Sequence, residues 1–222
     1  MISITPALFN CIGSDNQTQN SIIGVNGSRM GGSYSPGKYG GGFLSDAINE
    51  HIEFTYTPNS STGTYSLWFK PNFSSADTTT RYIVDRSGLG VRFAIIWVNW
   101  RGSFGWGYVV PPGNVLGESY DNITGDSHSA GDDIYIKLTW NTAGIAGSSD
   151  TVRFYINGVL KLTSTAAVPT TTAQTNIQLG SDTTALNPSN GVIDEFKVYE
   201  VENTNSSDRF ICGIGVKRRR ST

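Results

Sequence analysis

Asp194 and Glu195 stand side by side in the run Val192–Tyr199, whose other members are mostly apolar. On a period of two, Val192, Asp194, Phe196 and Val198 share one face, which is expected to point into a core. An unpaired buried charge is costly, so a carboxylate there needs hydrogen bonds or a cation. The same alternation sends Glu195 to the opposite face, where its neighbours two residues away are Ile193 and Lys197. Retaining glycoside hydrolysis needs two carboxyls on one face, about 5–5.5 Å apart, and this pair does not meet that requirement. The chain has two histidines, His51 and His128, and neither sits in a Ser or Cys nucleophile pattern. No catalytic residue is expected.

A second group of residues suits sugar binding. Arg101-Gly102 can turn a hairpin that pairs Asn99 with Phe104, Trp97 with Trp106 and Ile95 with Tyr108, all on one face. Trp97, Trp106 and Tyr108 could stack on sugar rings while Asn99 and Arg101 supply hydrogen bonds. The competing reading is a packed core, because aromatic side chains dominate core burial. A third group is the run Lys217-Arg218-Arg219-Arg220 near the C-terminus, a candidate contact for an acidic partner chain.

The elements that would position these groups are strands. Charged residues make up 15% of the 222-residue chain, below the roughly 25% usual for soluble domains, and Gly, Ser, Thr and Asn take their place. Such a mixture suits short strands joined by tight turns. Net charge is −2, so no global field draws nucleic acid. No window is apolar enough to span a membrane as a helix. Helical periodicity is absent over any useful length. Alternation marks strands over 64–70, 92–100, 103–110, 134–141 and 192–199, with shorter candidates at 7–12, 51–54, 81–85, 152–156, 159–163 and 176–180. Asn157-Gly158 predicts a two-residue hairpin, since both positions favour positive φ. Residues 15–27 read as a polar loop.

Several segments resemble one family. Pro36-Gly37-Lys38-Tyr39-Gly40-Gly41-Gly42-Phe43, Tyr65-Ser66-Leu67-Trp68-Phe69-Lys70-Pro71, Tyr155-Ile156-Asn157-Gly158 and Gly191-Val192-Ile193-Asp194-Glu195 with Tyr199 are similar to motifs of the laminin-G-like, concanavalin A-like lectin/glucanase superfamily. The resemblance runs from about 7 to 201. It implies an all-β fold, a two-sheet antiparallel jelly-roll sandwich over 1–205, with 206–222 as a polar, basic tail. It implies a structural calcium held by Asp15, Asn16 and Asn20 of the polar loop together with Asp194. The alternative is that Asp194 accepts backbone N–H bonds from that loop. The first and last strands are neighbours in this fold, so Cys11 and Cys212 could meet. Whether they pair stays open.

The family fold is specific while its functions are many. The opening Met1–Pro6 does not read as a secretory signal. A virion surface protein without catalytic activity is therefore expected, either a phage capsid decoration or a fibre component. Its partners would be other virion proteins or copies of itself, with host glycans as a further ligand. The alternatives are a free bacterial carbohydrate-binding module or lectin and, further off, a glucanase-like enzyme.

Overall fold

A computed structural model describes residues 9–11, 27–56, 61–88, 91–100, 103–110, 119–123, 127–165 and 176–203. The described residues form strands β1 (Phe9–Cys11), β2 (Ser28–Met30), β3 (Ser33–Pro36), β4 (Gly41–Ser45), β5 (His51–Thr55), β6 (Thr62–Pro71), β7 (Arg81–Gly88) and β8 (Val91–Trp100). They continue as β9 (Ser103–Val110), β10 (Ser119–Ile123), β11 (Ile134–Asn141), β12 (Val152–Ile156), β13 (Val159–Ser164), β14 (Asn176–Leu179) and β15 (Gly191–Tyr199). One 3-10 turn, Ile145–Gly147, joins β11 to β12.

The strands make two antiparallel sheets, one ordered β13-β12-β11-β6-β15-β4-β3 with β1 also on β15, the other β10-β9-β8-β7-β14-β5-β2. The jelly-roll expectation holds. Alternation explains the core between the sheets. On β6, Tyr65, Leu67 and Phe69 are buried inward, and their partners Leu138, Ile136 and Ile134 on β11 face the same way. The second sheet answers with Trp97, Trp106, Tyr108, Ile177 and Leu179.

The β8–β9 register pairs Asn99 with Phe104, Trp97 with Trp106 and Ile95 with Tyr108, the pairing expected; Arg101 and Gly102 themselves lie outside the described residues. The β12–β13 hairpin turns on Asn157 and Gly158, with φ of 50° and 81°, and pairs Ile156 with Val159.

The alternation expected for β15 does not hold. A bulge interrupts its pairing with β6 between Asp194 and Lys197, and Glu195 adopts φ of 52°. A bulge adds one residue and so switches the faces that follow it. Val192 and Asp194 pair with Lys70 and Trp68 on the outer side of the sheet, while Phe196 and Val198 belong to the core. Asp194 therefore lies behind the sheet and outside the sandwich core.

Candidate functional site

The outer face of the first sheet carries the site. Asp194 is 1% exposed there, beneath the turn that joins β3 to β4. The Tyr39 N–H donates to its Oδ2 at 2.7 Å. A Cβ on Gly37 would meet Asp194 Oδ2 at 2.7 Å and its Cγ at 2.9 Å, so only glycine allows so close an approach. Burial pushes the Asp194 carboxyl above its ordinary value; the Glu195 charge adds to this, and the Tyr39 N–H opposes it. Asp194 Oδ1 is buried without a hydrogen-bond partner.

The bulge also brings Glu195 to the outer side, where its Oε2 lies 2.8 Å from Lys197 Nζ. Lys197 pairs with Ser66 on the outer face of β6. The two acids therefore do not point to opposite faces as expected. Neither is open to a substrate, however, because Asp194 is capped by the turn and Glu195 is 8% exposed and ion-paired.

Beside this capped acid runs an aromatic strip. Tyr39 is 54% exposed and meets the half-buried Trp68 edge-on, with ring centroids 5.9 Å apart. Trp68 in turn lies 5.4 Å from Tyr135. Lys38 Nζ sits 5.0 Å over the Trp68 ring and 3.1 Å from Asp133 Oδ2. Lys70 Nζ lies 3.5 Å from Asp133 Oδ1, so Asp133 ties both lysines to the rim of the strip. The sequence carried a signal for this surface: Trp68 stands with Ser66 and Lys70 on the polar face of an otherwise amphipathic strand.

Asp133 also lines a pocket of about 390 Å³ at the end of the sandwich, with His128, Asp132, Asn157, Lys161, Ile156 and Val159 among its walls. Asn157 Oδ1 accepts the Tyr135 N–H at 2.8 Å, a second link between pocket and strip. The His128 ring is 9% exposed and is packed 5.4, 5.0 and 5.3 Å from Phe73, Trp97 and Trp106. Burial holds its imidazole below the ordinary value against the pull of Asp132, the Phe73 carbonyl and Asp77. Neither ring nitrogen makes a hydrogen bond of full geometry, the Phe73 backbone being only a weak partner.

The hairpin aromatics are not at the surface. Trp97 and Trp106 are 1% exposed, Tyr108 is 0% exposed, and all three belong to the core. A ring so covered offers no face to a sugar, and Trp97 instead spends its indole N–H on the Asp77 carbonyl at 3.1 Å. Of the other expected residues, Asn99 is described by its strand pairing alone. Arg101, Asp15, Asn16, Asn20, Cys212 and Lys217, Arg218, Arg219 and Arg220 lie outside the described residues. Among the described residues no group of three or more His, Cys, Asp or Glu could hold a metal ion. Cys11 pairs with Phe196, which places the first strand beside the last.

No curated protein sequence matches the chain. Among solved structures it resembles domain 4 of AbnA, a GH43 extracellular arabinanase from Geobacillus stearothermophilus solved with arabinotriose, at TM-score 0.61 and 20% identity over 85% of this chain and 89% of that one. It resembles a botulinum neurotoxin type C chain, whose cell entry depends on two ganglioside molecules, at TM-score 0.63 and 14% identity over 89% of this chain. The match spans 48% of that neurotoxin chain, about half its length. A native heptameric pentraxin from Limulus polyphemus aligns at TM-score 0.53 and 15% identity over 79% of this chain and 76% of that one. Identities this low speak to the fold. Residues 46–207 match the model of a laminin-G-type family described as the concanavalin A-like lectin/glucanases superfamily, and the chain belongs to that family.

Proposed function

We propose that the protein is a non-catalytic glycan-binding protein whose ligand lies on the Tyr39–Trp68 strip. The observation that carries this reading is the exposed Tyr39 set against the half-buried Trp68 and rimmed by Lys38, Asp133 and Lys70. Aromatic faces give a sugar ring its apolar contact, and the charged rim gives its hydroxyls directional partners. The arabinotriose held by the arabinanase domain and the gangliosides used by the type C neurotoxin show sugar ligands on chains of similar fold, which supports the reading. The acids of β15 favour binding over hydrolysis, since a loop covers one and a lysine holds the other. On a glycan array the full-length protein is expected to bind a restricted set of oligosaccharides. Trp68→Ala should weaken the best binder at least tenfold while the protein stays folded, with only a modest fall in melting temperature. Unchanged binding by Trp68→Ala would sink the strip, and steady release of reducing sugar from a bound glycan would sink the non-catalytic reading.

The place of action we propose is a virion surface, as a phage capsid decoration or fibre component. In support, the composition is polar and weakly charged. The run Lys217–Arg220 could tether the chain electrostatically to other virion proteins or to copies of itself. The heptameric pentraxin is an oligomer of similar fold. Mass spectrometry of purified particles from the source should find the chain in stoichiometric amount. Its presence only as free secreted protein would favour a bacterial lectin.

A further inference from the structure

We propose that the end pocket beside the strip is a second subsite, which takes one uncharged sugar unit at the end of a glycan whose next units lie on Tyr39 and Trp68. This rests on the glycan reading above. The two surfaces share a wall: Asp133 grips Lys38 and Lys70 on the strip side and lines the pocket on the other. Asn157 does the same through the Tyr135 N–H.

The pocket has an unmet demand. His128 is 9% exposed, it lines the cavity, and neither of its nitrogens makes a hydrogen bond of full geometry, although the Phe73 backbone lies within pull of the ring. A buried polar group left unpaired costs free energy, and a ligand that pairs with it recovers that cost. A neutral imidazole has one donor and one acceptor nitrogen; both are covered here, so a sugar hydroxyl pairs with one as the ring turns toward the cavity. The remaining walls fit the same ligand. Ile134, Ile156 and Val159 provide an apolar side for ring C–H groups, while Asp132 and Asn157 accept or donate along the other. Asp132 and Asp133 are set against Lys161, Lys38 and Lys70, so the lining and its rim carry little net charge, which suits a neutral unit. A volume of about 390 Å³ lies near the lower end of the ~300–1,000 Å³ usual for small-molecule sites, which suits one ring and not a chain.

The experiment titrates the full-length protein with arabinotriose, cellotriose, maltotriose, N-acetyllactosamine and 3′-sialyllactose while following the histidine ring signals by NMR. The chain has two histidines, so a His128→Gln spectrum assigns them. At least one neutral oligosaccharide is expected to shift the His128 signals and leave those of His51 in place. Val159 is 57% exposed at the pocket wall, so Val159→Trp can fill the pocket without harming the core. It should weaken that sugar tenfold or more. Loss of binding in Trp68→Ala, with unmoved His128 signals and full affinity in Val159→Trp, would overturn the pocket and leave the strip standing. No binding by any of the five, or full binding by Trp68→Ala, would overturn the strip reading and the pocket with it.

Discussion

At the scale of single residues, two buried titratable groups set expectations. Asp194 was legible as a carboxylate that needs partners, but its side of the sheet was not, because period-two alternation cannot foresee a bulge. Its observed partner is the Tyr39 N–H, from a different loop than the one expected. Asp194→Ala removes that acceptor and is expected to cost about 1–3 kcal/mol, the range for leaving a buried group unpaired. The calcium proposal adds a condition: EDTA should lower the wild-type melting temperature and leave that of Asp194→Ala unchanged. A wild-type curve indifferent to EDTA would leave the N–H bonds as the whole account of Asp194. His128 is the second group. Its imidazole is depressed by burial, so the unfolded chain takes up the proton first as pH falls. Stability is therefore expected to be level above about 6.5, the ordinary histidine value, and to decline below it. His51 is depressed in the same direction, by burial against the pull of Glu53. Melting temperatures between pH 8 and pH 5 should fall less steeply for His128→Phe than for the wild type. Equal slopes would show that His128 is not depressed in the folded protein.

At the scale of elements, what could be read from the sequence was what local chemistry dictates. Asn157-Gly158 fixed a hairpin because two consecutive positive φ angles suit few other residue pairs. The β8–β9 register followed from turn length, since each residue of slip exchanges the faces. The edge strands β2 and β10 went unread, because Ser28–Met30 and Ser119–Ile123 are short and show little alternation. The same limit hid the binding surface. Trp97 and Trp106 look in sequence like a platform as much as a core, and only the opposing sheet, with Phe69 5.7 Å from Trp106, decides. The β3–β4 turn is the element with the clearest expected phenotype. Gly37→Ala would press a methyl group into Asp194, so the turn must lift. Overpacking of this kind costs about 1–3 kcal/mol. Because Lys38 and Tyr39 ride on the same turn, Gly37→Ala is expected to lower both the melting temperature and glycan affinity. Normal affinity in a destabilised Gly37→Ala protein would detach the strip from the turn.

At the scale of the whole molecule, the question is where the folded domain stops. β15 ends at Tyr199, yet the next residues are still part of the sandwich. Glu202 accepts from Asn141 Nδ2 at 2.9 Å and from the Ala146 N–H at 3.1 Å. The Asn203 N–H donates to Thr64 Oγ1 at 2.9 Å, and Thr139 Oγ1 donates to the Asn203 carbonyl at 3.2 Å. Thr64 Oγ1 also donates to the Val201 carbonyl at 3.0 Å, so without residues 201–203 the two 0% exposed hydroxyls lose these bonds and keep the one they share, at 3.1 Å. Each intramolecular hydrogen bond is worth about 1 kcal/mol net, and an orphaned buried group costs more than that. The family match extends to residue 207, consistent with a boundary just past these contacts. The basic run begins at Lys217, well beyond it. A chain cut after residue 205 is therefore expected to unfold cooperatively within a few degrees of the full-length protein. A chain cut after Tyr199 should lose about 3 kcal/mol or more by chemical denaturation, on the count of bonds broken. If the tail is the tether proposed for particle assembly, the first truncation should also fail to enter particles while keeping its glycan affinity. Equal stability of the two truncations would show that residues 200–203 do not clamp the sheet, and normal incorporation of the chain cut after residue 205 would remove Lys217–Arg220 from the account of assembly.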